Sequence, residues 1–169
     1  MSHENDILAL EDRVTAHARS LGADFDVVPC DPALADTAAF CAHYGFELGD
    51  SANAILVASK SEPRKYAVCL LLANTRLDVN KAVCRQLDCK RASFADADET
   101  VRLTGMIIGG VTVFGLPAEL PILVDLAVMA RPRVIVGGGS RGTKLRVDPE
   151  VFRRMPQATV VENLALRKA

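Results

Sequence analysis

Two glycine-rich stretches are the parts of this sequence best suited to chemistry. The first, Thr104-Gly-Met-Ile-Ile-Gly-Gly-Val-Thr-Val-Phe-Gly-Leu-Pro117, interrupts an apolar run with Gly105, Gly109, Gly110 and Gly115. Glycine inside a strand pattern marks a bulge, a bend, or a backbone that another group approaches closely. The second, Val136-Gly-Gly-Gly-Ser-Arg-Gly-Thr-Lys-Leu145, sets three successive amides, Gly137 to Gly139, beside Ser140, Arg141 and Lys144. Successive backbone N–H groups can form a nest for an anion, and arginine adds a bidentate contact to phosphate or carboxylate. A hairpin turn with solvated basic residues explains the same composition equally well.

Several chemistries are excluded by spacing. Neither stretch has the glycine spacing of a dinucleotide or P-loop motif, and no Lys-Ser/Thr pair follows to meet phosphates at a helix start. Ser140 is not set in a Gly-x-Ser-x-Gly elbow, so a serine hydrolase is disfavoured. The five cysteines form no Cys-x-x-Cys pair and sit near no histidine cluster, so no zinc site is expected. Cys41, Cys69 and Cys84 lie in apolar stretches and read as small buried hydrophobes of a reducing compartment. His3, His17 and His43 read as surface residues and Tyr44 as half-buried. Lys and Arg number 20 against 21 Asp and Glu, a formal net charge of -1. No global positive field would hold duplex DNA, and any RNA contact must be local.

The elements that must position these stretches follow from periodicity. Ile7, Leu10, Val14, Ala18 and Leu21 recur at helical spacing before Gly22, and Phe25 to Pro29 reads as a short strand. Asp36 and Thr37 are candidate caps of a helix running to Gly45, with Phe40, Cys41 and Tyr44 inward. The apolar runs 54–58 and 66–73, separated by a polar segment with a proline, predict a hairpin of buried strands. Asp78 and Asp96 can each cap a helix, with a brief strand at 92–94 between them. Strands are expected at 106–114, 122–125, 134–137 and 143–147, and Asp148 with Pro149 starts a last helix. The length of 169 residues suits one domain spanning 1–169, α/β in class, with a mixed and largely antiparallel sheet. An acidic start, without a basic region and apolar run, and the lack of a long apolar window predict a cytoplasmic chain with no membrane partner.

The order Thr104-Gly105, Gly109-Gly110, Gly115, an Ile-Leu-Val-Asp125 strand and a Gly-Gly-Ser-Arg-Gly142 loop resembles the YbaK and prolyl-tRNA synthetase insertion-domain family. Upstream, Ser51-Ala-Asn-Ala-Ile-Leu-Val57 is similar to the start of that family's first long strand, and Asp78-Val-Asn-Lys-Ala82 to a helix start. The resemblance covers roughly residues 20 to 160 and implies a compact domain with a barrel-like sheet flanked by helices. It implies a freestanding deacylase that hydrolyses the ester of a mischarged aminoacyl-tRNA, with no metal, no cofactor and no covalent intermediate. The implied partner is the aminoacylated 3′ end of tRNA, with an aminoacyl-tRNA synthetase as a further candidate.

By position, Gly105 would be the backbone glycine that places the aminoacyl carbonyl or a water, with Asn53 as its catalytic companion. Thr104, Gly109 and Gly110 would flank the substrate, Asp125 would shape the pocket, and Gly138, Gly139, Ser140 and Arg141 would lie along the terminal adenosine. Two positions depart from the family pattern: Asn53 stands where a lysine is usual, and Val113 where a proline is usual. Asparagine offers neutral hydrogen bonds in place of a full charge. The alternative reading is therefore a catalytically weakened binding module for aminoacyl-tRNA 3′ ends or nucleotides.

Overall fold

The computed structural model describes residues 3–168; Met1, Ser2 and Ala169, at the ends of the expected domain, lie outside the described residues. In chain order the regular elements are α1 (His3–Ser20), β1 (Phe25–Pro29), α2 (Thr37–Tyr44), β2 (Ala52–Ser59), β3 (Tyr66–Leu72), β4 (Thr75–Leu77), α3 (Cys84–Leu87), β5 (Ala92–Phe94), α4 (Ala97–Thr104), β6 (Ile122–Asp125), α5 (Leu126–Met129), β7 (Val134–Gly137), β8 (Thr143–Val147), β9 (Ala158–Val161) and β10 (Ala165–Arg167).

The two most apolar runs build the centre. Strands β2 and β3 pair antiparallel from Ala52 opposite Leu72 to Ala58 opposite Tyr66, which is the hairpin their sequence predicts. Side chains alternate across a strand, so neighbouring residues serve opposite faces. Leu56, Val68, Leu70, Ile122 and Val124 meet Val14 and Ala18 of α1, together with Phe114 and Phe152. Val57, Cys69, Leu71 and Leu123 pack on the other face under Ala82, Val83, Cys84 and Leu87. A third, small cluster seats α2 on β7, with Phe40, Cys41 and Ala35 against Ile135.

The sheet does not close into the barrel that the resemblance implies. The strands form three sheets, ordered β5-β2-β3-β6-β9, β1-β8-β7 and β10-β4. Among the described residues the two larger ones touch by backbone pairing only at a single bridge between Ser51 and Ile135. Pairing is antiparallel except where β6 joins β3 and β9 joins β6 in parallel, and those parallel additions extend the central sheet sideways.

Residues 106–114, expected as a strand, are a loop. Gly105, Gly109 and Gly115 all have positive φ, at 69°, 93° and 77°, which breaks any extended ladder. Buried Met106, Val113 and Phe114 anchor the loop instead. Asp96 caps α4 as expected, accepting the Glu99 N–H at 2.8 Å. Asp78 also caps, but a wide turn over Val79–Val83 precedes α3. The last helix is a 3-10 segment, Pro149–Arg154, and strands β4, β9 and β10 carry no sequence signal strong enough to assign them. They are too short for a period to emerge.

Candidate functional site

A cavity of about 310 Å³ opens where the first turn of α2, the start of β2, the loop around Gly109, and strands β7 and β8 converge. Its origin is a mismatch of strand lengths. Short β5 covers β2 only from Val57 to Ser59, so the earlier residues Asn53, Ala54 and Ile55 stay half-buried and face open space. Phe40, Ile55, Ile135 and Val136 give the walls an apolar character, while Asp36, Thr37, Asn53 and Lys144 add polar groups. Few polar groups in a mostly apolar concavity is the usual makeup of a small-ligand site.

Asn53 is fixed by Thr37, whose hydroxyl donates to Asn53 Oδ1 at 2.6 Å. The amide nitrogen of Asn53 donates to nothing among the described residues. Asp36 does not cap α2 through its side chain; its carboxylate accepts from Arg141 Nη1 at 3.4 Å. Arg141 stands at the rim, where Nε donates to Pro32 O at 2.9 Å and Nη1 to Ile108 O at 3.2 Å.

Gly109 lines the cavity with a φ of 93°, a conformation that favours glycine, and a Cβ there would strike the Arg141 guanidinium. Its two flanking peptide groups are both pinned by cations. Arg141 holds the Ile108 carbonyl, and Lys144 Nζ donates to the Gly109 carbonyl at 3.2 Å. The Gly109 N–H itself meets no acceptor among the described residues. Lys144 is 7% exposed and also donates to Ala35 O at 2.6 Å, with its ammonium 5.4 Å from the centre of the Phe40 ring. Burial pushes its pKa below the usual lysine range.

The remaining expected site residues lie outside this cavity. Gly105 ends α4, donating its N–H to Val101 O at 2.8 Å, and faces Arg13 of α1 in a separate depression. Thr104 is buried and internally bonded, to Thr100 O at 2.7 Å and from Met106 N at 3.1 Å. Asp125 is buried at the end of β6, where its Oδ1 accepts the Ala165 N–H at 3.3 Å and burial raises its pKa. It ties down the start of β10 and does not line the cavity.

Gly110, Gly138 and Gly139 sit where the chain packs too closely for a Cβ. Gly139 donates to Gly110 O at 2.6 Å and Ile107 donates to Gly139 O at 3.1 Å. A Cβ would run into the Ser140 backbone at Gly110, into Thr143 at Gly138, and into Val14 and Leu10 at Gly139. Gly137, which does line the cavity, is likewise pressed against the Val111 carbonyl. Ser140 is buried and bonds Glu11 of α1, while accepting the Gly142 N–H at 3.0 Å. The two glycine stretches therefore converge, but mostly on each other.

Two polar residues matter more than their sequence setting suggests. Lys144 shares a strand face with exposed Arg146, so alternation alone gives a solvated lysine; only the segment around Ala35, folding over that face, buries it. His17, expected on the surface, accepts the Gly115 N–H at Nδ1 over 2.8 Å, and burial lowers its pKa. Its spacing of three from Val14 is the only hint. Burial pushes the Cys69 thiol up to about 12, which removes it as a nucleophile at neutral pH. Among the described residues no cluster of His, Cys, Asp and Glu could hold a metal ion, and no helix is long and apolar enough to cross a membrane.

Residues 31–155 match the aminoacyl-tRNA editing domain family. The crystal structure of the hypothetical protein APE2540 superposes with a TM-score of 0.81 at 21% identity, covering 91% of this chain and 99% of that one. A second crystal structure, described as a candidate trans-editing enzyme for prolyl tRNA synthetase, gives a TM-score of 0.76 at 22% identity, covering 94% and 97%. These likenesses show a shared fold. The family match spans well over half of the sequence and includes every wall of the cavity. The chain belongs to the aminoacyl-tRNA editing domain family.

Proposed function

We propose that this chain is a freestanding aminoacyl-tRNA deacylase, a single editing unit over residues 1–169 that acts in the cytoplasm on the 3′ end of mischarged tRNA. Water attacks the carbonyl carbon of the ester, the bond to the terminal ribose oxygen breaks, and that oxygen takes a proton from the attacking water. The proposed step needs no metal and no covalent intermediate. Family membership supports the substrate class. The observation that carries the site is Gly109, whose unpartnered N–H belongs to a cavity wall shared with Asn53. A fixed backbone donor aimed at developing charge is an effective catalytic element.

In this reading Gly109 takes the role that sequence order gave to Gly105, because the Gly105 N–H already closes α4. Asn53, held by Thr37, orients the aminoacyl group or the adenosine through its amide N–H donors. Arg141 stands at the mouth and fits a phosphate of the incoming strand, and its binding contribution falls with added salt. A synthetase as a further partner is part of the same proposal.

Purified protein incubated with a panel of mischarged tRNAs should release amino acid from at least one above the buffer rate; no release from any would reject the reading. A second reading, a binding module that has lost efficient hydrolysis, is favoured by the neutral Asn53 at a position where the family resemblance implies lysine. Tight retention of an uncleavable 3′-aminoacyl-adenosine together with no turnover would select it.

A further inference from the structure

We propose that Lys144 supplies the positive charge of this site, its ammonium stabilising the negative charge that develops on the ester carbonyl oxygen beside Gly109. The proposal rests on the deacylase reading above and adds to it a residue from β8, a different strand of the cavity wall from the one that carries position 53.

Lys144 is a buried cation without an anion. The ion pairs among the described residues are Arg64 with Glu99, Arg131 with Asp50, Arg133 with Asp24, Arg141 with Asp36, and Arg153 with Glu150; Lys144 is in none of them. Buried charges are ordinarily paired, because desolvation disfavours the charged form. The ammonium has three donors. Two go to the Ala35 and Gly109 carbonyls, and the third has no protein acceptor among the described residues. Those two carbonyls compensate the charge in part and fix its position, but leave it available to a ligand.

Its location turns that availability into a role. Lys144 is the only cationic side chain among the described residues lining the cavity, and it touches the residue whose N–H is free there. The charged and titratable groups around it are Asp36, Arg141 and the thiols of Cys30 and Cys41. Asp36 is the one carboxylate in that set, and it turns outward to Arg141. Asn53, which also lines the cavity, contributes no charge. A cation from β8 therefore fills electrostatically the place left by the lysine that the resemblance implies at position 53.

During the reaction Lys144 keeps its proton. As the water oxygen bonds to the carbonyl carbon, the C=O π pair moves onto the carbonyl oxygen, which the ammonium and the Gly109 N–H both stabilise. The carbonyl re-forms as the bond to the ribose oxygen breaks. That oxygen takes one proton of the water, and the released carboxyl group loses the other to solvent.

The test compares two adenosine analogues by calorimetry: a planar, neutral 3′-aminoacylamide, and a tetrahedral, anionic 3′-aminoalkylphosphonate. Wild-type protein should bind the phosphonate at least about 10-fold more tightly, and Lys144→Met should bring the two within about 2-fold while Lys144→Arg keeps part of the preference. A preference that survives in a folded Lys144→Met variant overturns the proposal. Should that variant fail to fold, the wild-type protein still decides the matter. The Lys144 13Cε resonance should shift with the phosphonate and not with the amide, and equal shifts would sink the idea. Binding of both analogues with no charge preference removes Lys144 alone, whereas binding of neither removes the deacylase reading as well.

Discussion

The two faces of the glycine-rich region behave in opposite ways. On one, around Gly110 and Gly138 to Ser140, the two loops and α1 close on each other, a Cβ would meet the Ser140 backbone, Thr143, or the Val14 and Leu10 side chains, and even the Ser140 hydroxyl is spent on Glu11. On the other, around Gly109, Asn53 and Lys144, the chain leaves open space and donors without acceptors. Both faces draw on the same glycine-rich sequence. At Gly110 a missing Cβ would meet fixed backbone, whereas at Gly109 it would meet the guanidinium end of a flexible arginine.

Alanine scanning should reveal that contrast as two different failures. The largest effect is expected at Gly137→Ala, where the new methyl would collide with the Val111 carbonyl. Because that neighbour is backbone and cannot swing aside, the loss should be about 3 kcal/mol or more, read as a fall in the denaturation midpoint. Gly109→Ala should fold, since the Arg141 guanidinium can move, yet lose about 100-fold in kcat as the positive-φ backbone shifts its N–H. Gly105→Ala is the control. It shares the positive φ but caps a helix outside the cavity, so it should lose about 1 kcal/mol of stability and little activity. Equal loss of kcat at Gly105 and Gly109 would erase the distinction between the two faces.

A smaller effect is expected at Asn53. Asn53→Asp places a second carboxylate in the cavity with Asp36 and should weaken binding of an uncleavable 3′-aminoacyl-adenosine by about 3- to 10-fold, whereas Asn53→Lys should bind at least as well as wild type. If titration finds all three alike, Asn53 is not part of the binding surface.

The sequence makes the scaffold legible where periodicity is strong and the site legible only in outline. The β2–β3 hairpin, α1 and the cap at Asp96 are readable because apolar alternation, a 3.6-residue stripe and a capping aspartate are local signals. The loop at 106–114 misleads because Met106, Val113 and Phe114 carry strand-like hydrophobicity for a different reason, as anchors of a turn-rich segment. Family order points to Gly105, whereas the N–H that meets no acceptor among the described residues beside the cavity is that of Gly109. Gly105 and Gly109 differ in whether the end of α4 consumes the N–H, and that depends on where the helix stops. Lys144 is hidden further still, since its burial comes from Ala35, a residue 109 positions away in sequence.

The smallest expected effect joins the two faces through His17. Its Nδ1 accepts the N–H of Gly115, at the far end of the loop that carries Gly109, and its ring meets Phe114 edge-on at 6.2 Å. Only an unprotonated Nδ1 can accept, and burial lowers the pKa from 6.5, so both effects favour the neutral ring in the folded state. A depressed pKa contributes stability that is fully present above the unfolded value and is lost as pH falls below 6.5 and through the folded value. Wild-type protein should therefore lose more stability than His17→Gln, which keeps an acceptor but does not titrate, when thermal melts are compared between about pH 7.5 and about pH 5. Because the tether sits at the end of the loop and the Gly109 peptides are pinned separately by Arg141 and Lys144, kcat should change less than stability over the same range. Parallel pH slopes for the two proteins would show that the His17 contact holds nothing, and would leave α1 joined to this loop by Arg13 and by apolar packing alone.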